Sequence, residues 1–549
     1  MTALAHLTPH GAVEKRPGAL ALVLDQIGYA ARELWRSRIV LVFTFVLPLV
    51  WLVVIGLMAG NEAVDEATGV RVMQFATPMA AVMGLLFSAY PPVAYSLALA
   101  REQKITKRLR GTPLPTWSYL LGRVGAAVIL SVASVLVMLA IGVVAYDLQV
   151  QWRSVLASLV TVGVGIACLA ALGLAVGALA SSASMAQTFA IASAIVVAFL
   201  SGLMTFGLTP PAWMDATASL FPLRHLLDPL RDQFNPFLDG TGWDLQALAM
   251  LAAWGAAGVV VATWALRREP RASAAPTAVG QPSAAREGLR AAEPGRPSPR
   301  AMVLEQTRWA NTAALRDAGW VFFAVAMPVG LYALMASQLG DSEFRPAGMP
   351  FALYFAVGMA AYGASITAFI NMPEAVASAR DRGLLKRLRG TPLTPWEYLA
   401  GRTTSVLWIA LLTAVLVFAA GLLFFNLEIS AEGVPLALVL LLFGTLTLAA
   451  CGYALAALAP SGRAMAVLSL GILLPLAFVS DVFPFGGTMP DWMTTLGAIF
   501  PLRHFVHALA ATLNPDSTGI AWTNLAMMGA WLIGATIVAL RWFRWEPKR

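Results

Sequence analysis

Long apolar stretches separated by short polar ones set the pattern of the chain. Twelve of these stretches approach the roughly 20 apolar residues that a helix needs to cross a bilayer. Six lie at about 39–59, 73–100, 124–146, 155–181, 185–208 and 245–266, and six at about 320–339, 351–372, 403–427, 434–459, 464–480 and 521–540. None contains Asp, Glu, Lys or Arg. In lipid every backbone polar group must be satisfied within the segment, which favours helices. The pattern predicts an all-α integral membrane protein with 12 transmembrane helices.

The polar intervals carry a second pattern. Residues 107–123 read KRLRGTPLPTWSYLLGR and residues 386–402 read KRLRGTPLTPWEYLAGR, 279 positions apart. At the same spacing Trp213-Met214 recurs as Trp492-Met493, Phe221-Pro222-Leu223-Arg224-His225 as Phe500-Pro501-Leu502-Arg503-His504, and Asn235-Pro236 as Asn514-Pro515. This is one module duplicated and fused, giving two homologous six-helix halves of one membrane body, 1–266 and 301–549. Between them 267–300 is rich in Ala, Pro, Gly, Ser and Arg without hydrophobic periodicity, as expected of a disordered cytoplasmic tether.

Composition agrees. The chain is 59% hydrophobic and 12% charged, with mean hydropathy +0.73, against about 45–50% apolar and about 25% charged in soluble domains. Thirty-one of the 37 Lys and Arg fall on one side when the termini, the tether and the 2–3, 4–5, 8–9 and 10–11 loops are placed together. The other side keeps Arg71, Arg153, Arg224, Arg231, Arg345 and Arg503. Such a bias makes the first side cytoplasmic, with both termini inside and the body in the cytoplasmic (inner) membrane. The net charge of +8 is then topology, not a nucleic-acid surface. The start of the chain lacks a signal-peptide pattern. Cys168 and Cys451 lie in apolar runs at unmatched positions, as small buried hydrophobes do.

The duplicated basic segment has a readable shape. Its stretches REQKITKRLR and RDRGLLKRLR place Ile105 and Leu109, or Leu384, Leu385 and Leu388, at helical spacing. They predict a short amphipathic helix on the cytoplasmic surface. Gly111 and Gly390 stand where a left-handed residue closes a helix, and Pro113 and Pro392 stop it from continuing. Thr394-Pro395-Trp396-Glu397 then fits a capping box with Pro at the first helical position; Ser118 replaces the Glu in the first half. The result is a helix–break–helix knuckle. Positive-inside anchoring explains Lys107, Arg108, Arg110, Lys386, Arg387 and Arg389. It does not explain why Gly-Thr-Pro-Leu, Trp, Tyr-Leu and Gly-Arg stay identical between halves, whereas a docking surface for a cytoplasmic partner does.

The segments at 209–240 and 488–518 suit short amphipathic helices in the outer interface, where Arg224 has Asp228 at i,i+4. Arg503 has His507 at that spacing, so this ion pair is not repeated. His225 and His504 fit either interfacial residues or proton sensors. Amphipathic stretches at 20–38 and 302–316 precede the first span of each half and suit the cytoplasmic interface.

None of the five Lys residues is followed by Ser or Thr, so there is no GxxxxGK[ST] phosphate loop. No metal-ligand cluster and no Ser/His/Asp arrangement stands out, and no enzyme activity is expected. Spans without ionisable residues argue against proton or sodium coupling and for an apolar or amphipathic substrate. A twelve-span proton-coupled drug transporter and a non-transporting scaffold for an ATPase remain as alternatives.

Taken in order, these features resemble the permease of an ABC-2-type ABC transporter of the exporter class. The string ARDRGLLKRLRGTPLTPWEYLAGR at 379–402 matches its coupling-helix region most closely. The first half departs, with Gln103-Lys104-Ile105 where Arg382-Gly383-Leu384 stands. The fused, Ala-rich form resembles actinobacterial antibiotic exporters of the tetronasin-resistance type. The resemblance implies an ABC-2 exporter, type V-like fold. It implies an ABC ATP-binding subunit in two copies, docking on the two knuckles, with ATP and Mg in that partner and no cofactor in this chain. Glu102 and Asp381 fall where the family carries an acidic residue at the start of the coupling helix. It also implies a path for a hydrophobic small molecule between the halves, amid membrane lipid, lined by the second and fifth spans of each half. Tyr90, Met204, Phe206, Phe483 and Phe485 are its lining candidates.

Overall fold

The second span of each half forms the centre of that half, with the other spans around it. A computed structural model describes residues 18–36, 38–58, 61, 63–65, 69–105, 108, 114–203, 211–268, 298–339, 343–344, 348–388, 390–483, 491–515 and 522–542. Most of the expected tether lies outside them. Met73–Ala89, in the second span, is buried at every residue except Phe75. Phe351–Ser365, in the eighth, is buried throughout. The sixth span, Leu245–Arg268, buries only Ala247, Leu251, Gly258 and Ala262. A Cβ on Gly258 would meet the backbone of Ala171 in the fourth span at 2.8 Å. Close backbone approach at small residues is how helices associate where no hydrophobic force drives them together.

Each of the twelve predicted stretches contains helix, yet among the described residues not all of them reach full spanning length. Among the described residues ten helices are long and apolar enough to cross a bilayer, and the first and eleventh stretches hold shorter apolar helices, Val42–Val53 and Ala464–Val479. The first is interrupted by the π-helical turn Val42–Val46. The eleventh, Gly462–Val479, ends where Asp481 turns left-handed at φ 59. An outer pair, Asp491–Gly497 and Pro501–Leu513, bends by 93° and counts as one further span or a re-entrant loop. The body is all-α as expected; two short antiparallel hairpins, Ala63–Asp65 with Val70–Arg71 and Glu343–Phe344 with Met349–Pro350, lie in the loops before the second and eighth spans. Gly69 and Gly348 supply positive φ at 66° and 60° in their turns, which glycine does without steric cost.

Prolines break the same spans in both halves. Pro48 and Pro328 have no N–H for the carbonyls of Thr44 and Ala324, four residues back. Ser134 and Thr413, equivalent positions in the third and ninth spans, donate hydroxyls to those carbonyls at 2.9 Å each. The second span breaks at Tyr90 between Met73–Ala89 and Pro91–Glu102. The eighth passes through a π-helical turn, Ile366–Asn371, into Met372–Asp381 with Pro373 at its start. The halves meet where the fifth span, Ala183–Leu200, packs on the start of the seventh, Ala318–Val321. A Cβ on Gly319 would lie 2.4 Å from the Thr188 hydroxyl. Phe199 packs into the second half's core and Phe323 into the first's.

Candidate functional site

The knuckle begins later than its sequence suggests. Arg380 and Asp381 still belong to the eighth span, and only Leu384–Leu388 forms the separate helix. Gly383 turns the chain between them at φ +70. The expected left-handed residue at Gly390 is therefore a correction: Gly390 does not adopt positive φ. The five-residue helix closes instead through short turns, Gly390 N–H to Arg387 O at 3.1 Å and Thr391 N–H to Leu388 O at 2.9 Å. A helix this short has no turn to spare for a left-handed cap. Lys107, Arg110, Gly111, Pro113 and Arg389 lie outside the described residues. In the first half Lys104 occupies Gly383's place and takes φ 58, costing a residue with a Cβ about 1–2 kcal/mol.

Leu385 anchors the second knuckle, fully buried, while Lys386, Arg387, Gly390 and Pro392 are exposed. Arg108 is exposed in the first half. Trp117 and Trp396, at the base of the following spans, are about half exposed, at 48% and 55%. The capping box forms: the buried Glu397 carboxylate accepts from the Thr394 N–H at 2.8 Å and from its hydroxyl at 2.6 Å. In the first half Pro115 is the N-cap and offers no side-chain bond.

The identical Gly-Arg that ends each repeat is a packing device. A Cβ on Gly122 would strike Gln26 at 2.4 Å, and one on Gly401 would strike Gln306 at 2.4 Å. These glycines let the interfacial helices, Ala19–Arg36 and Pro299–Arg316, lie against the third and ninth spans. Arg123 lies over Tyr119 and pairs with Glu33 of the interfacial helix at 2.8 Å; Arg402 lies over Tyr398 in the same way. Ala313 stands where Glu33 is in the first half, because the two interfacial helices correspond at a spacing of 280, as Gln26 and Gln306 do.

Glu102 and Asp381 remain solvent-accessible, but their carboxylates are engaged by backbone across the neighbouring turn. Glu102 accepts from the Ala183 N–H at 2.9 Å, and Asp381 from the Gly462 N–H at 2.6 Å. The preceding arginines work beside them. Arg101 donates to the carbonyls of Gly177 and Ala180 at 2.8 and 3.0 Å, and Arg380 to those of Ala456 and Ala459 at 3.0 and 2.8 Å. Every residue of the first set corresponds to its counterpart at the repeat spacing. Each Arg-acid pair thus clamps a tight turn between two spans. The cation takes the negative C-terminal end of the fourth (tenth) span, and the anion takes the positive N-terminal end of the fifth (eleventh). The arginines' role escapes sequence reading because their partners are backbone atoms. The available signal is the repeated Arg-acid dipeptide at the end of an apolar run.

At the opposite ends, each FPLRH motif is an elbow. Pro222 and Pro501 begin the second helix of each elbow. His225 and His504 reach back to the carbonyls of Ser219 and Ala498, both at 2.8 Å, a bracing contact. Arg224 pairs with Asp228, as its spacing predicts, and with Asp215 at 3.0 Å. Burial raises the Asp228 carboxyl above its ordinary range against the opposing pull of Arg224. In the second half Arg503 finds its acid elsewhere: Asp481 accepts Arg503 at 3.3 Å and His507 at 2.8 Å. Gly202 stands at the equivalent place in the first half, so the repeat pattern gives no hint of this cluster.

Among the expected lining residues, Tyr90 is buried and its hydroxyl bonds Ser193 of the fifth span at 2.8 Å. Phe483 packs on Tyr362 and Phe478 with ring centroids 5.4 Å apart in each case. Met204, Phe206 and Phe485 lie outside the described residues.

Comparison with known proteins adds a family. Residues 28–234 match the family described as ABC-2 type transporter, and residues 333–541 the one described as ABC-2 family transporter protein. Together the matches cover more than half of the chain. Over 151 residues the chain is 26% identical to the protein named "Probable multidrug ABC transporter permease YbhR" of Escherichia coli strain K12. The protein of that name in Escherichia coli O157:H7 matches equally. That stretch is 27% of this chain and spans 41% of the relative's length.

Proposed function

This chain belongs to the ABC-2 type transporter family, as two such domains in tandem, and on that premise we propose that an ATP-driven exporter uses it as its complete permease. It is a multi-pass membrane protein and a transport subunit rather than an enzyme. In this reading two copies of a separate ABC ATP-binding subunit dock on the knuckles and supply ATP and Mg. Both termini and both knuckles face the cytoplasm, and the body sits in the inner membrane. The cargo is a hydrophobic or amphipathic compound of antibiotic or lipid-like character, moved outward between the halves.

The observation that carries the reading is the second knuckle. It presents exposed Lys386, Arg387 and Trp396 at the end of the eighth span, whose outer part is buried throughout. A push there acts on the centre of the half rather than on its rim. Arg108 and Trp117 offer the same chemistry in the first half.

Co-purification tests it. An ABC ATP-binding subunit should accompany the wild-type chain and be lost from the Arg110→Glu, Arg389→Glu double variant. Transport that continues without any ATPase and stops when the proton gradient is dissipated would refute the proposal.

A further inference from the structure

The knuckle end of each second span is fastened to its surroundings and jointed at its root. The joint in the first half is the break at Tyr90, followed by Pro91 and Pro92. In the second half it is the π-helical turn Ile366–Asn371 followed by Pro373. Both interrupt the regular hydrogen-bond ladder, through missing proline N–H groups or a π-helical turn, as kinked helices do. At the joint and just beyond it, glycines of the fourth and tenth spans bring backbone close to backbone. A Cβ on Gly173 or Gly177 would meet the carbonyl oxygens of Tyr90 or Ala94 at 2.6 and 2.5 Å. One on Gly452 would meet Ala368 O at 2.7 Å. The Arg-acid pairs then tie the far end to the turn between the fourth and fifth, or tenth and eleventh, spans.

We propose that Arg101-Glu102 and Arg380-Asp381 are positioning residues that make the knuckle, the inner part of the second span and the following 4–5 turn move as one lever. Resting on the permease reading, the lever delivers displacement of the knuckle to the N-terminus of the fifth span. That span carries Thr188, against which the other half is packed. The clamp suits this task because both of its bonds end on main chain. Side-chain rearrangement in the fourth and fifth spans does not loosen it. Charged partners on opposite helix ends also fix its direction, since an exchanged acid-Arg order would set each charge against the dipole it faces.

The full chain in nanodiscs, with its co-purified ATPase, provides the test. Hydrogen exchange at 461–466 is followed with and without ATP and vanadate. The Asp381→Asn variant should exchange at least tenfold faster there, and Asp381→Glu should restore protection. Asp381→Asn should keep the ATPase bound and hydrolysing, yet lose the nucleotide-driven change in exchange along the eleventh span. Unchanged exchange in Asp381→Asn overturns the clamp. An undiminished nucleotide-driven response overturns the lever. If no ATPase accompanies the wild-type chain, the permease reading and the transmission role fall together, while exchange at 461–466 still judges the clamp alone.

Discussion

The carboxylate of Asp381 accepts the backbone N–H of Gly462 at 2.6 Å, and Glu102 makes the same bond to Ala183 at 2.9 Å. Two residues that look like surface charge are in fact helix caps supplied from another span. Each satisfies one of the orphan donors of a helix start, so each fixes the relative position of two spans. The two pairs lead into turns of different strain, and that difference can be measured.

Lys104 holds φ 58 where Gly383 holds φ 70. Lys104→Gly should stabilise the protein by about 1 kcal/mol, and Gly383→Ala should destabilise it by about as much. Thermal unfolding in detergent reads both; opposite signs would show that the first knuckle is not strained at this residue.

Glu397 is fully buried and caps the ninth span through Thr394. Thr394→Ala should cost about 1 kcal/mol, whereas Ser118→Ala in the first half, where Pro115 is the cap, should cost less. Equal melting shifts for the two variants would deny the capping box a role.

Asp481 holds Arg503 and His507 together in a partly buried cluster. Asp481→Ala leaves Arg503 without this counter-charge and should cost about 3 kcal/mol. Asp481→Gly should cost less, because glycine relieves the left-handed φ of 59. Denaturant titration of the two variants checks the order.

Asp228 sets a pH dependence. Burial raises its carboxyl from the ordinary value of 3.8, so the folded protein holds this proton to higher pH than the unfolded chain. The stability linked to that proton is present below 3.8 and is lost as pH rises through the raised value. Asp228→Asn, which mimics the protonated form, should therefore gain stability relative to wild type on going from pH 4 to pH 7. A relative loss over that range would mean that the Arg224 pair outweighs burial.

Gly319 lets the halves touch at Thr188. Gly319→Leu should lower the melting temperature by several degrees, an effect of roughly 2 kcal/mol from overpacking, while Gly330→Leu, in open space, should not. Equal shifts would deny Gly319 a special place at the seam.

Sequence alone determined the layers of this protein. Apolar runs without Asp, Glu, Lys or Arg mark the helices because lipid enforces hydrophobicity along a whole segment. Repetition at 279 residues marks the two halves, and local rules reveal the Thr394–Glu397 cap and the Arg224–Asp228 pair. Those interactions span three or four residues, within reach of a pattern. Tertiary structure decided the rest. Arg101 and Arg380 seek carbonyl oxygens, which every residue has, so no side-chain identity betrays the partner. Glu102 and Asp381 bond to amides 81 residues away. Asp481, in the left-handed turn that ends the eleventh span, meets Arg503 and His507 from 22 and 26 residues along the chain. Backbone partners and long-range meetings leave little trace in composition or spacing, and they hold the knuckles to the spans they are proposed to move.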